Sequence, residues 1–190
     1  MRCISCQSLS FRIICKECQK SFLTPSFYKR EIEKDFFVYS FYKFDDVKEF
    51  INSKYEFYGD RVFSILAKLS FEKFAKNFEY GELVYAIPID DHTRHEFSHT
   101  AILARYLKSK YITCDFNVLK AQNIVKYAGK DLVFRQKNKR GFSYKGKHKI
   151  QVVLVDDVVT TGSTMLEAKE VLEKNNCEVL FALSISDAKS

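Results

Sequence analysis

Two adjacent aspartates followed by a run of small hydroxyl residues are the clearest chemical signal in this sequence. Asp156 and Asp157 come directly after the apolar run Val152–Val155, and Thr-Thr-Gly-Ser-Thr follows at Thr160–Thr164. Hydroxyl residues around a glycine at a helix N-terminus offer backbone N–H groups, hydroxyl donors and the positive end of the helix to an anion. The two carboxylates cannot bind a phosphate, but they suit sugar hydroxyls or Mg²⁺. Together these groups predict a ribose 5-phosphate site.

The elements around this run must form one edge of a parallel sheet. Val152–Val155 has the continuous apolar character of a strand buried on both faces, with the two aspartates at its carboxyl end. Open α/β sheets place their ligands at that end of the strands. The next segment, Met165–Leu172, has helical spacing of its apolar residues. The site residues predicted here are Asp156, Asp157, Val158, Thr160, Thr161, Gly162, Ser163 and Thr164.

A second chemical signal lies at the N-terminus, where four cysteines form two C-x2-C pairs. Cys3 and Cys6 are separated by eight residues from Cys15 and Cys18. Four thiolates at such turns can close a tetrahedral structural zinc site, and the short spacing predicts a compact pair of knuckles. Two disulfides or an iron–sulfur cluster are the alternatives. No secretory signal precedes residue 3, which favours zinc and a cytoplasmic protein. The isolated Cys114 and Cys177 are predicted to be apolar packing residues.

The positive charge of the chain is concentrated in one segment, residues 135–149. This segment has seven Lys and Arg, one His and no acid, with two interleaved aromatic residues and two glycines. A basic loop of this kind suits single-stranded nucleic acid, whose phosphates meet the cations while its bases stack on the rings. A solvated surface loop is the alternative. The predicted contacts are Arg135, Lys137, Lys139, Arg140, Phe142 and Tyr144.

Size and charge restrict the class of protein. The chain has 190 residues and a net charge of +7, with 31 Lys and Arg against 24 Asp and Glu. This balance favours polyanionic partners such as nucleotides, nucleic acid or an anionic membrane face. No stretch approaches the 18 apolar residues of a membrane span. We expect a zinc module at 1–24 and a larger domain at 25–190.

The remaining pattern alternates strands with helices, which indicates an α/β protein with a mostly parallel sheet. Strands are predicted at 37–42, 83–89, 112–116, 151–155 and 179–186. Helices are predicted at 45–53, 61–78, 100–107 and after the aspartate pair. The histidines His92, His95 and His99 have helical spacing, but without a carboxylate beside them we interpret them as surface residues rather than metal ligands.

The order of these motifs resembles the ComF family of competence proteins, which are similar to type I phosphoribosyltransferases and serve natural transformation. The four cysteines and the run 152–164 carry the resemblance, with looser matches at Lys54-Tyr55, Gly59-Asp60, Pro88, Arg135 and Asn138. The resemblance implies that Asp156 and Asp157 hold the ribose hydroxyls of 5-phosphoribosyl-1-pyrophosphate (PRPP). The hydroxyl residues would then wrap its 5-phosphate, Arg94 would lie on the pyrophosphate side and Mg²⁺ would accompany the ligand. Where the family continues Arg-Gly-Phe-Asn-Gln, this chain has Arg94-His95-Glu96-Phe97-Ser98-His99, which departs from the pyrophosphate-binding pattern.

Three functions remain open at this point. The first is a PRPP-binding protein that handles incoming single-stranded DNA, with competence or recombination proteins as partners and a peripheral association with the inner membrane. The second is a metabolic phosphoribosyltransferase acting on a nucleobase or amine. The third is a PRPP-sensing regulator of duplex DNA, which ranks last because no helix-turn-helix is recognisable. The sequence identifies neither an acceptor substrate nor the oligomeric state, and it leaves open whether transfer is catalysed.

Overall fold

A six-stranded, mostly parallel sheet forms the centre of the protein in a computed structural model that describes residues 1–89, 98–123 and 140–189. The strands are β1 (Tyr28–Glu33), β2 (Phe36–Lys43), β3 (Val84–Pro88), β4 (Ile112–Cys114), β7 (Gln151–Val159) and β8 (Glu178–Asp187). Their order is β1-β2-β8-β7-β3-β4, and every pair is parallel except β1 with β2. Two short strands, β5 (Leu119–Ala121) and β6 (Phe142–Tyr144), pair antiparallel beside the main sheet. The predicted α/β class with a mostly parallel sheet is confirmed.

Helices cover both faces of this sheet. The described helices are α1 (Lys16–Phe22), α2 (Phe44–Asn52), α3 (Gly59–Leu69), α4 (Phe71–Asn77), α5 (His99–Arg105) and α6 (Ser163–Lys174), with a 3₁₀ turn at Ser53–Tyr55. Val153 and Val155 point into a core that includes residues of α3 and α5, whereas Val152 and Leu154 pack against α6. All four valine and leucine side chains of this run are fully buried. The apolar run therefore forms the doubly buried strand that the sequence predicts.

Two of the predicted helices differ from the observed ones. The segment predicted as one helix at 61–78 is two helices, because the chain bends at Ser70, whose hydroxyl donates to the Leu66 carbonyl at 2.6 Å. A serine hydroxyl that bonds the preceding turn competes with the helical ladder and commonly bends it. The helix predicted at 45–53 begins one residue earlier, with Lys43 as its N-cap, so no aspartate side chain caps it.

The N-terminal segment shares the main hydrophobic core. Cys3, Ile14, Cys18 and Leu23 are buried in the same cluster as side chains of β2, α2 and α3. The Tyr42 hydroxyl donates to the Leu23 carbonyl at 3.3 Å, which ties β2 to the end of this segment. The division at residue 24 stays a prediction, but the packing is continuous across it.

Within the described residues, none of the helices combines the length and the hydrophobicity needed to cross a bilayer.

Candidate functional site

Strand β7 carries the aspartate pair to the carboxyl edge of the sheet. Its neighbour β3 ends at Pro88, which lies opposite Val155. Beyond that point, among the described strands, β7 continues to Val159 by pairing with β8 alone. The aspartates therefore lie inside the strand, and not just after it as the sequence predicts, but they lie past the end of β3.

The connections of β3 and β7 diverge at this point. From β3 the chain passes to β4 on one side, and from β7 it passes through α6 to β8 on the other. Parallel sheets bind ligands in the crevice that such divergence opens at the carboxyl ends of the strands. The predicted site residues of β7 therefore border the crevice of this sheet.

Asp157 and Asp156 point to opposite faces of the sheet and have different partners. Lys54, on the 3₁₀ turn before α3, donates from Nζ to Oδ2 of Asp157 at 2.7 Å. This pair is largely buried, with 21% of the Lys54 side chain and 11% of the Asp157 side chain exposed. Asp156 is half-buried and feels the positive charge of Arg140 on the opposite face. The sequence analysis noted Lys54 only as part of a family motif.

The two carboxylates differ in their protonation equilibria. Burial, and next the negative charge of Asp157, hold the pKa of Asp156 well above its usual value. Burial also opposes ionisation of Asp157, but Lys54 and then His99 outweigh it and keep the pKa of Asp157 below its usual value. The site thus has one carboxylate that is already neutralised by a lysine and one that gains from hydrogen bonds or a cation.

A glycine permits the position of Lys54. A Cβ at Gly59 would lie 2.3 Å from the Ser53 carbonyl oxygen, so only glycine lets α3 begin this close behind the 3₁₀ turn. This 3₁₀ turn places Lys54 next to Asp157.

The loop after β7 forms the start of α6 and has the geometry of an anion cradle. Gly162 is the N-cap of α6 with φ +85° and ψ −5°, a conformation that side chains rarely adopt. The Thr161 and Ser163 hydroxyl oxygens are 3.0 Å apart, and the Ser163 N–H donates to the Thr161 hydroxyl oxygen at 3.4 Å. Hydroxyls and the N-terminal N–H groups of a 12-residue helix are thereby gathered at one point, which suits a phosphate.

Strand β1 packs against this loop from outside. Arg30 donates from Nη2 to the Thr160 carbonyl at 2.9 Å and forms an ion pair with Asp187 at the end of β8. The side chain of Ile32 occupies the space where Gly162 would carry a Cβ, with its nearest carbon 3.1 Å from that position. Neither residue could be predicted from local sequence patterns, because both contacts join positions about 130 apart in the chain.

The four N-terminal cysteines form a second candidate site. The sulfur atoms of Cys3, Cys6, Cys15 and Cys18 all lie within 4.8 Å of one another, and Cys6 Sγ is 3.7 Å from Cys15 Sγ. Tetrahedral zinc with Zn–S bonds of about 2.3 Å requires sulfur–sulfur distances of about 3.8 Å, so the arrangement fits such an ion. The six cysteines of the chain all lie in described residues, and none is in a disulfide. The cluster could hold a metal such as zinc.

The predicted nucleic-acid segment is partly described. Phe142 is 8% exposed and packs in the core beside β5, so its ring is not available to stack on a base. Tyr144 is half-buried, and its hydroxyl donates to the Lys147 carbonyl at 2.5 Å. The backbone N–H groups of Arg140 and Gly141 donate to Glu167 on α6, which anchors Arg140 near Asp156. Arg140 thus lies beside the candidate site, Phe142 belongs to the core, and Tyr144 packs against Lys147 and Cys177.

Several predicted residues lie outside the described part of the chain: Arg94, His92, His95, Arg135, Lys137, Asn138 and Lys139. Of the three histidines, His99 is described; it begins α5, its ring lies 5.4 Å from that of Phe63, and its charge acts on Asp157.

Part of the chain is similar to a known protein family. Residues 100–190 match the family described as "Phosphoribosyl transferase domain". A search of curated proteins finds no match to the chain. Among solved structures, a hypoxanthine phosphoribosyltransferase from Staphylococcus aureus is 13% identical, with 66% of this chain and 62% of that chain covered and a TM-score of 0.42. An adenine phosphoribosyltransferase is 14% identical, with coverage of 89% and 88% and a TM-score of 0.42. The chain spans less than two thirds of the first enzyme. The family match covers slightly less than half of the chain, its C-terminal part, which contains β7 and α6.

Proposed function

We propose that the chain binds PRPP with Mg²⁺ at the carboxyl edge of β7. The observation that carries this proposal is the juxtaposition of the Asp156–Asp157 pair with the hydroxyl loop Thr160–Thr164, at the point where the chain leaves β3 and β7 in opposite directions. Sugar hydroxyls and a phosphate separated by one ribose ring match these two groups. The family match over residues 100–190 supports the same ligand.

The residues would divide the ligand between them. The carboxylates of Asp156 and Asp157 accept hydrogen bonds from the ribose hydroxyls, and the hydroxyls and N–H groups of Thr161–Thr164 bind the 5-phosphate. On the pyrophosphate side we propose Arg94. Mg²⁺, when bound with PRPP, would neutralise the diphosphate. Asp156 is suited to bind a hydroxyl because, among the described residues, no lysine bonds it directly as Lys54 bonds Asp157.

Titration calorimetry with PRPP and Mg²⁺ tests this proposal on the wild type and on Asp156→Asn with Asp157→Asn. Hydrogen bonds to charged groups contribute about 1.5–3 kcal/mol each, so the loss of both carboxylates should weaken binding at least a hundredfold. Asparagine is preferable to alanine, because Asp157 is the buried partner of Lys54 and truncation would leave that ammonium without an acceptor.

The matched control is Asp45→Asn with Asp46→Asn, a second adjacent acidic pair that lies in the first turn of α2. It makes the same change in net charge and should leave PRPP affinity unchanged. Equal affinity in the wild type and the Asp156/Asp157 variant, or no binding by the wild type, would refute the proposed ligand.

We further propose that this PRPP-binding protein handles single-stranded DNA during natural transformation, the role that the ComF resemblance implies. In the described residues, the surface best suited to single strands is the N-terminal segment 1–29. It has five basic side chains against one acidic one: Arg2, Arg12, Lys16, Lys20 and Lys29 against Glu17. Phe11, Phe22 and Phe27 lie among them and are 107%, 58% and 55% exposed. Exposed rings between cations can stack on bases while the cations meet phosphates.

A metabolic phosphoribosyltransferase with a small acceptor is the alternative, and oligonucleotide binding separates the two. Fluorescence anisotropy with a single-stranded oligonucleotide measures the slope of log affinity against log salt concentration. This slope should flatten by about two when Arg12, Lys16 and Lys20 are changed to Gln, since each phosphate contact contributes about 0.7. Phe11→Ala should weaken binding without changing the slope. Phe57→Ala, at a ring outside the segment that is 87% exposed, is the control. If instead only Lys137→Gln with Lys139→Gln flattens the slope, the strand binds at the basic segment that the sequence predicts. If the wild type binds no oligonucleotide, the metabolic alternative is favoured.

A further inference from the structure

Strand β1 reaches the phosphate loop through one arginine with two acceptors. The Arg30 guanidinium donates to the backbone carbonyl of Thr160 at 2.9 Å and pairs with the carboxylate of Asp187, whose side chain is 4% exposed. Asp187 is the last residue of β8 and lies opposite Val159, the last residue of β7. Arg30, in the middle of β1, therefore contacts the ends of β7 and β8 at the position where the chain enters the loop.

The bond to Thr160 fixes the orientation of the peptide between Thr160 and Thr161. In a trans peptide the carbonyl of one residue and the N–H of the next point in opposite directions. The described residues contain no cis peptide bond. Since the Thr160 carbonyl points at Arg30 on β1, the Thr161 N–H points away from Arg30.

The neighbouring contact on the same strand acts on the same loop. Ile32 lies against Gly162 with three of its carbons 3.1–3.2 Å from the position of a Cβ. Arg30 and Ile32 are both half-buried members of the alternating pattern of β1 and so lie on one face of the strand. One face of β1 thus contacts the loop at its first residue and at its glycine.

We infer that Arg30 is a positioning residue for the 5-phosphate loop, and that the N-terminal strand β1 completes a site whose ligand-binding residues lie in the C-terminal part of the chain. This inference rests on the proposed binding of PRPP. Arginine suits the task because its planar fork bonds a carbonyl and a carboxylate at once, whereas a lysine ammonium is a point charge. Arg30 lies outside residues 100–190, which match the phosphoribosyltransferase family, so the match itself does not point to it.

The test compares Arg30→Gln and Arg30→Lys with Lys169→Gln in the full-length protein. Lys169 is the matched control, because it joins α6 to Glu33 on the same strand without touching the loop. Affinities for PRPP and for ribose 5-phosphate are measured by calorimetry. Amide hydrogen exchange of residues 160–163 is measured in the absence of ligand.

Arg30→Gln should weaken the binding of PRPP and of ribose 5-phosphate by the same factor, because both ligands share the 5-phosphate. We expect a factor of about ten or more, because the variant loses the hydrogen bonds that the charged guanidinium makes to the loop and to Asp187. Exchange of the loop amides should rise in the same variant. Arg30→Lys should recover little of the affinity, and Lys169→Gln should resemble the wild type in both measurements.

Three outcomes overturn the inference. Unchanged affinity together with unchanged loop exchange in Arg30→Gln would remove the positioning role. An equal loss in Lys169→Gln would show that any loosening of β1 suffices. Full recovery by Arg30→Lys would reduce the role of Arg30 to its charge. If the wild type binds neither ligand, the proposed function fails, and the loop exchange of Arg30→Gln still decides whether Arg30 orders the loop.

Discussion

The adjacent residues Asp156 and Asp157 have different roles because β7 directs their side chains to opposite faces of the sheet. Asp157 meets Lys54 and is ionised, with a pKa below its usual value, although it is almost fully buried. For Asp156, burial and the charge of Asp157 raise the pKa. An ionised Asp156 therefore lowers the stability of the fold at neutral pH. A ligand that donates hydrogen bonds or a cation to this carboxylate offsets that loss.

Asp156→Asn should increase the free energy of unfolding at pH 7 while it weakens PRPP binding. An aspartate ionises with a pKa of about 3.9 in the unfolded chain, and each unit by which folding raises that value is worth about 1.4 kcal/mol. The destabilisation by Asp156 sets in as the pH rises from that value to the higher folded pKa, and it is complete above it. The amide is neutral and can still accept the Asp157 N–H, which Asp156 accepts at 2.8 Å.

Chemical denaturation of the wild type and Asp156→Asn between pH 3.5 and 8 measures this difference. The gain should be largest at the upper end and should disappear toward the lower end. Asp45→Asn, at a side chain that is 90% exposed, should show no comparable gain. A loss of stability in Asp156→Asn at pH 7 would contradict the assignment of a raised pKa.

At the scale of elements, the sequence predicts what depends on local patterns. The doubly buried β7 and the glycine at the start of α6 are both encoded by residue type and spacing. The break of the helix at Ser70 is not, because serine also occurs inside helices, and only its hydrogen bond to Leu66 reveals the bend.

The parts of the site that the sequence could not predict are contacts between distant elements. Arg30 and Ile32 belong to the short strand Tyr28–Glu33, whose mixed charged residues give little strand signal. Phe142 and Tyr144 are interleaved with basic residues in a way that favours a nucleic-acid loop, but the same alternation belongs to a short strand with Phe142 inward. Only pairing with β5 distinguishes the two interpretations.

At the scale of the whole molecule, the cysteine cluster belongs to the core that supports the sheet. Cys3 and Cys18 are buried with Leu23 against side chains of β2, α2 and α3, so the cysteine cluster is not an independent appendage in its packing. A zinc ion there would therefore stabilise the fold beyond the 20 or so residues that surround it.

Removal of the metal should lower the melting temperature of the entire protein in one transition. Structural zinc contributes about 10–16 kcal/mol in zinc-finger peptides at pH 7, whereas a whole domain is stable by about 5–15 kcal/mol. The cysteine cluster and the sheet share a core, so the loss of even a fraction of the zinc-binding free energy should remove most of the stability of the domain. Thermal unfolding followed by circular dichroism, with and without a strong chelator, measures the shift, and metal analysis gives the zinc content.

Cys3→Ser should reproduce the effect of the chelator, while Cys114→Ser, at a half-buried thiol outside the cluster, should not. Two separate transitions, with the larger one unmoved by the chelator, would instead indicate a module that folds apart from the sheet.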